Sequence, residues 1–454
     1  MRRLLPLLAL LAVLVLAPPA GASEQSSPPK LGHVFVIVLE NENAADTFGP
    51  DAPAYLAKTL PSMGAYVPNY YATGHLSLDN YISMVSGQAP NIQTQADCIF
   101  YTDFFPGIPV ADGQVLGSGC VYPSSVQTIA DQLETAGLDW AGYMEDMAAK
   151  APAEPATCRH PAIGARDDTQ SAEVGDQYAT RHNPFMYFHS IIDDQASCDA
   201  HVVDYTQLAG DLKRVEDTPA FSFITPNLCH DGHDEPCING EPGGLESANQ
   251  FLEQAVPPIL DSPAFERRGL LVITFDEAEA TGATADSSAC CNEQPGPNTP
   301  SPGGLTVGPG GGKIGAVMIS PCIRPGTTSD IPYNHYSFLR SIEDGFGLSH
   351  LGYAGQDRLT PFGADIYSRA DCSEKARLKV KPKHPRRGEK QLVRFRVKSG
   401  LDRCREGVQI NFAGKRAKTD ARGRAKLRAR INVARTAKAS KEGCLPAKAR
   451  VRPR

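Results

Sequence analysis

Four apolar runs constrain the fold of this chain more than any other feature: HVFVIVLEN (33–41), AFSFITPN (220–227), LLVITFDE (270–277) and KIGAVMIS (313–320). Each is short, rich in strand-forming residues and apolar without alternation, the pattern of a strand buried on both faces. Between and around them lie stretches of helical period: SSVQTIADQLETAG, YTQLAGDLKRV, SANQFLEQAVPPIL and HYSFLRSIEDGFGL. Strands of that kind separated by amphipathic helices predict an α/β fold, a doubly wound and mostly parallel sheet with helices on both faces. Ligands of such sheets sit beyond the carboxyl ends of the strands. Glu40-Asn41, Asn227 and Asp276-Glu277 all fall at those ends. A carboxylate is costly to bury alone. Two adjacent acids closing LLVITF therefore either leave the sheet for water or meet a positive group.

At 454 residues the chain is long enough for a large core and more than one domain. It opens MRRLLPLLALLAVLVLAPPAGA: two arginines, an apolar stretch too short for a typical membrane span, then small residues. This is the pattern of a secretory signal peptide (1–22) cleaved after Ala22, and it predicts a secreted protein, extracellular or held at the cell surface. Twelve cysteines suit an oxidising destination. We expect pairs Cys229–Cys237 and Cys404–Cys444, with the others joining neighbouring loops.

The net charge of −6 conceals two opposed halves. From Ser373 onward, 28 Lys and Arg stand against 6 Asp and Glu, a balance of +22; the first 372 residues hold 17 basic and 45 acidic residues, a balance of −28. That split predicts two units, 23–372 and 373–454. Within the second, ARLKVK, QLVRFRVK, GVQINFAG and KLRARINV alternate apolar with basic residues, as a small basic β-sandwich would. Its charge would bind an anionic surface, cell wall or membrane, or merely solubilise the chain or fold back on the acidic body. No nucleic-acid partner is predicted. Residues 280–312, rich in Gly, Pro, Ser and Thr and containing Cys290-Cys291, read as a long disulfide-tied loop. Within it GPGGGKI lacks the first glycine and the Ser/Thr of a phosphate loop.

Four places carry candidate chemistry: Glu40-Asn41, Thr128 in QTIADQL, the cluster CHDGHDEPC (229–237) and Asp276-Glu277. Carboxylate, amide and hydroxyl oxygens together suit a divalent cation. A hydroxyl at a helix start beside such an ion can attack an electrophile, and the helix N-terminus favours a phosphate. Taken alone, Thr128 reads more simply as a plain N-cap before an amphipathic helix. Cys229, His230, His233 and Cys237 would offer zinc ligands, but an oxidising destination favours the disulfide.

The segments VIVLENENAADTFG, YYATGHLSLDNYISMVSG, TIADQLETAGLDWAGYMEDM, HNPFMYFHSI, ITPNLCHDGHD, ITFDE and NHYSFLRSIEDGFG together resemble the bacterial phosphoesterase family. That family includes secreted acid phosphatases and phospholipases C of the alkaline-phosphatase-like superfamily. The resemblance runs from about His33 to Tyr353, leaves the basic tail outside, and is closest to mycobacterial-type secreted acid phosphatases acting on phosphoinositides. It implies metal ligation by Glu40, Asn41, Asp276 and Glu277, the metal's identity open. It implies Thr128 as the nucleophile forming a phosphothreonine, and a role for the HDGHD segment in holding phosphate or moving protons. His230 stands where the family often has Asn, which puts the weight on Asp231, His233 and Asp234. His75 or His233 would protonate the leaving oxygen. Asn80 would donate to a phosphate oxygen or hold a neighbouring loop, and His335 would lie near the site or cap its helix.

The activity so implied is that of a secreted, metal-dependent phosphomonoesterase, an acid phosphatase acting on phosphorylated small molecules or phosphoinositide head groups. A phospholipase C cleaving a phosphodiester is the alternative within enzymes. An inactive surface-binding protein is the alternative outside them.

Overall fold

The computed structural model describes residues 29–305, 308–367, 377–399, 405–441 and 444–454. The expected leader (1–22) and the Cys404–Cys444 pair lie outside the described residues. The apolar runs form the centre of an eight-stranded sheet. In chain order its strands are β1 (His33–Leu39), β2 (Ala65–Val67), β3 (Trp140–Met144), β4 (Val202–Asp204), β5 (Phe221–Thr225), β6 (Gly269–Phe275), β7 (Ala316–Ile319) and β8 (Thr327–Thr328). Their order across the sheet is β8-β2-β7-β6-β1-β5-β3-β4. From β6 to β4 every neighbour is parallel, and only β7 runs against its neighbours β6 and β2. Every residue of β5 and β6 is buried, as unbroken apolar patterning requires of strands covered on both faces.

Four helices matter for the site: α1 (Ser77–Ser86), α2 (Ile129–Thr135), α3 (Gly244–Asp261) and α4 (His335–Phe346). Helix α1 stops at Gly87, whose φ of 68° closes the last turn in a conformation that a side chain would strain. Disulfides join Cys98–Cys120, Cys158–Cys198, Cys229–Cys237 and Cys290–Cys291. The loop at 280–312 is less of a surface excursion than its composition suggests. It folds back on the strand end, with the Ala278 amide donating to Gly311 O at 2.9 Å.

The basic segment forms two antiparallel sheets. One orders β9 (Arg377–Lys381), β10 (Lys390–Lys398) and β13 (Arg424–Arg430); the other orders β12 (Lys415–Lys418), β11 (Gln409–Phe412), β14 (Arg435–Lys441) and β15 (Cys444–Val451). Val393, Phe395 and Val397 of the first meet Ile410, Phe412 and Val451 of the second in an apolar cluster separate from the main core.

Helix α4 carries a buried acid, Glu343. One carboxylate oxygen accepts from the Leu351 amide at 2.8 Å and the other has no partner. Burial raises its pKa to about 9. The native state then holds a proton that the unfolded chain releases near pH 4.5, so stability is lost as pH rises across that window. Glu343→Gln is expected to be neutral below pH 4.5 and to raise the melting temperature by several degrees near pH 9. Thermal melts of both proteins over that range check it, and a gain that is the same at every pH counts against it.

Candidate functional site

Strands β1 and β6 pair in register to their last residues, Leu39 opposite Phe275. Glu40 and Asp276 therefore leave the sheet side by side, and both are buried. The backbone turns sharply there. Asn41 sits at φ 55°, and its amide donates to Asp276 Oδ1 at 3.0 Å, beside the Glu277 amide at 2.6 Å. Asp276 Oδ2 is left without a partner.

The third contributor is the start of α1. Leu76 is held at φ 76°, ψ 140°, a conformation costly for a side chain with a Cβ. Its amide donates to Glu277 Oε1 at 3.1 Å. This places Ser77, the first residue of the helix, against the acids. The Ser77 hydroxyl donates to Glu40 Oε2 at 2.8 Å, and Tyr81, one turn on, donates to Glu40 Oε1 at 2.5 Å. The ten-residue helix thus points its positive end at the cluster.

From the other side come His182 and Asp231. His182 stacks on Tyr81 with ring centroids 5.4 Å apart, its Nε2 3.3 Å from Glu40 Oε2 and its Nδ1 3.7 Å from Asp231 Oδ2. Neither ring nitrogen has a hydrogen-bond partner, and Asp231 Oδ2 has none either. The backbone ties Asp231 to the strand end, its carbonyl accepting from the Glu40 amide at 2.8 Å.

The electrostatics follow from burial. Loss of solvent, then the charge of Asp276, pushes the carboxyls of Glu40 and Glu277 well above the usual range. Burial does the same to Asp231 and raises Asp276 to about 6. Burial, aided by the neighbouring Arg181, holds His182 neutral far below its ordinary value. Four buried acids, two of them (Asp231 and Asp276) with an orphaned oxygen, beside an unpartnered imidazole are an unfavourable arrangement by themselves. The unpartnered oxygens of Asp231 and Asp276, with Glu40 and His182 beside them, are a donor set that fits a divalent ion.

The remaining sequence candidates fall into clear places. His75 turns Nδ1 to Glu277 and Nε2 to Ser287 Oγ at 3.0 Å, so it braces Glu277. Asn80 clamps the preceding loop: Oδ1 accepts from the Thr73 and Gly74 amides at 2.9 and 3.0 Å, and Nδ2 donates to Gly74 O and Leu76 O. This is the loop-holding reading, and it fixes His75 and Leu76. His335 is buried, with Nε2 2.7 Å from Asp276 O, and so supports the strand end rather than only its helix. His233 is half exposed, next to Asp234 at 3.5 Å. Asp234 accepts the Gly244 amide on its carbonyl at the start of α3.

Thr128 occupies the N-cap of α2. Its hydroxyl donates to Asp131 Oδ2 at 2.7 Å and accepts from the Asp131 amide at 3.3 Å, a complete capping box. His230 pairs with Glu145 and Glu241; although burial lowers its pKa, those carboxylates raise it to about 9, which makes it a structural cation. Cys229, His230 and Glu241 cluster closely, but the Cys229 sulfur is committed to Cys237. Zinc has no thiolate there.

Ser77 and His182 are the two residues that sequence reasoning misses. Both stand inside quoted segments, GHLSLDNY and HNPFMYF. The usable signal for Ser77 is a small hydroxyl residue opening an amphipathic helix. His182 has no comparable signal, since it lies in a short 3₁₀ turn.

The sequence profile of the Phosphoesterase family matches residues 51–349, beginning just after Glu40 and Asn41. A probable acid phosphatase of Kluyveromyces lactis is 24% identical over 321 residues, 70% of this chain and 59% of that protein, so the chain spans about six tenths of that relative's length. A phosphatidylinositol-3-phosphatase of Mycobacterium tuberculosis is 23% identical over 360 residues, 78% of this chain and 91% of that one. Among solved structures, an alkaline phosphatase superfamily protein from Vibrio parahaemolyticus aligns over 90% of this chain and 85% of its own, with a TM-score of 0.43 and 12% identity.

Proposed function

Because the chain belongs to the phosphoesterase family, we propose that it is a metal-dependent phosphomonoesterase in which Ser77, rather than Thr128, is the nucleophile. One observation carries this reading: the Ser77 hydroxyl, at the positive end of a helix, donates to Glu40 within a cluster of buried acids in which Asp231 and Asp276 each leave an oxygen unpartnered. Thr128 is committed to Asp131 at a helix cap.

Glu40, Asp276 and Asp231, with His182, are the residues that would hold the ion; Asn41 and Glu277 shape and brace the strand ends. A bound divalent ion supplies positive charge for the phosphoryl oxygens and lowers the pKa of a neighbouring hydroxyl. The chain's own residues do the rest. Glu40 accepts the Ser77 proton along the existing hydrogen bond as Oγ attacks phosphorus. The phosphorus–oxygen bond to the alcohol breaks, and the alkoxide takes a proton from solvent or from His233 at the exposed mouth. Water then attacks phosphorus and gives its proton to solvent or His233, Ser77 Oγ leaves and recovers the proton held by Glu40, and inorganic phosphate departs. The α1 N-terminus favours the anionic phosphate throughout.

Phosphorylated small molecules and phosphoinositide head groups are the proposed substrates. The relative named as a phosphatidylinositol-3-phosphatase supports the lipid class. We further read the protein as exported, which four disulfides support. Among the described residues no helix is long and apolar enough to cross a membrane.

The test is to strip metal from the full chain and follow an aryl phosphate monoester and a choline phosphodiester side by side, with and without added divalent ions. Metal-restored turnover of the monoester alone is expected. Turnover of the diester instead moves the protein to the phospholipase branch, and no turnover with any ion overturns the enzyme reading.

A further inference from the structure

The outer face of the three-stranded basic sheet carries a grid of like charges. Along β9 and β13 the apolar residues point inward and the cations outward, giving the alternating burial of RLKVK and RAKLRAR, and β10 follows the same alternation from Val393 to Lys398. The register then aligns those cations across strands. Lys379 faces Arg396, which faces Arg424; one step along, Lys381 faces Arg394, which faces Lys426. Beyond one end Arg377, paired with Glu266 at 2.6 Å, faces Lys398; beyond the other, past Leu392 opposite Arg428, Lys390 faces Arg430. Of the six, only Arg424 has a carboxylate within ion-pair reach among the described residues, Asp420 at 3.1 Å.

Neighbours across strands stand about 5 Å apart and successive outward residues about 7 Å apart. Like charges directly opposite each other on a sheet are destabilising. A small unit that repeats such pairs across one face is built for a partner that neutralises them. The shape of the grid narrows that partner. It is two-dimensional, three cations wide, whereas a linear polyanion is tracked by a single stripe. All six positions are Lys or Arg, so the grid offers no aromatic ring for base stacking and no apolar wedge for insertion.

We propose that this sheet face docks the protein on an anionic lipid bilayer, with its cations lying over a plane of phosphate and carboxylate head groups. The inference deepens the lipid-phosphate reading above and rests on it for the choice of surface. It gives the enzyme residence on the surface that carries its substrate.

The test uses the full chain and its variant Lys379→Gln/Arg394→Gln/Arg396→Gln/Lys426→Gln. Co-sedimentation is measured with phosphatidylcholine vesicles, with and without phosphatidylserine, and hydrolysis of a soluble aryl phosphate is followed in parallel. The parent protein is expected to bind only the anionic vesicles and to release them as salt is raised. The variant is expected to bind them about a thousandfold more weakly, with aryl phosphate turnover unchanged. A second variant, with Arg at both lysines and Lys at both arginines, keeps the charge and must retain binding, which separates charge from folding. Equal binding to neutral and anionic vesicles, or unweakened binding by the glutamine variant, overturns the proposal. So does retention on a linear polyanion such as heparin without vesicle binding. Vesicle binding is read without turnover, so a catalytically silent protein that still docks would sink the phosphatase reading and leave this one standing.

Discussion

Ser77→Ala is expected to lower turnover of an aryl phosphate by roughly a thousandfold or more, while Thr128→Ala leaves it within a few-fold. Removing an attacking group typically abolishes nearly all catalysis above the background that binding and charge supply. Ser77 meets the geometric requirement, since its Oγ lies 2.8 Å from a carboxylate oxygen that can take the proton. The substitution also leaves Leu76, the start of α1 and the Tyr81–Glu40 bond in place, so the fold should survive it. Thr128→Ala acts elsewhere. It removes a cap and leaves the Asp131 carboxylate with the Thr128 amide and Ser190 as its donors. Its cost should be about 1–2 kcal/mol of stability, with Thr128→Ser recovering most of it. Steady-state kinetics and thermal melts on the three variants decide between the hydroxyls. If Thr128→Ala is folded but inactive while Ser77→Ala still turns over, the assignment is reversed. Phosphate trapped on the chain by acid quench should map to the peptide containing Ser77.

Much of the sheet and half of the site are legible in the residues themselves. A strand buried on both faces is written in adjacent letters, and HVFVIVL and LLVITF announce both the strands and the ends at which polar residues gather. The tail is legible for the same reason, since RLKVK and RAKLRAR alternate with the period of a strand. What cannot be read locally is the partner of each acid. Glu40 meets Ser77 across 37 residues, and only because β1 and β6 pair in register while Leu76 adopts a left-handed φ. Nothing in GHLSLDNY marks that backbone conformation. His182 is harder still, because its role comes entirely from Glu40, Tyr81 and Asp231, all distant in sequence. Thr128 shows the opposite difficulty. Thr, then Asp three residues later, before an apolar run is the signature of a capping box whether or not chemistry happens there.

Asp276→Asn should separate what the acid cluster costs the fold from what it does for the ion. Oδ1 of Asp276 accepts the Asn41 and Glu277 amides, and Oδ2 has no partner. Asparagine keeps the accepting oxygen and puts an amide nitrogen among Glu40 and its neighbours. In metal-free protein the Asp276 pKa is raised to about 6 by burial, so between about 4 and that value the native state binds more protons than the unfolded chain. Stability contributed by the protonated form is therefore present below that window and is lost as pH rises through it. At neutral pH the metal-free variant should melt several degrees above the metal-free parent, and at pH 4 the two should coincide. Added divalent ion should reverse the order, because ligation stabilises only the state with the carboxylates intact. Turnover of the variant should fall by roughly a hundredfold or more, as charge at the phosphoryl group is lost with the ion. Melts with chelator and with excess divalent ion across this pH range test both halves at once. A variant that is no more stable than the parent without metal, yet equally stabilised by the ion, would place the ion away from Asp276. Higher metal-free stability combined with lost ion response would mean that the cluster is kept for its chemistry at the expense of the fold, which is the trade expected where buried charges converge on a reactive hydroxyl.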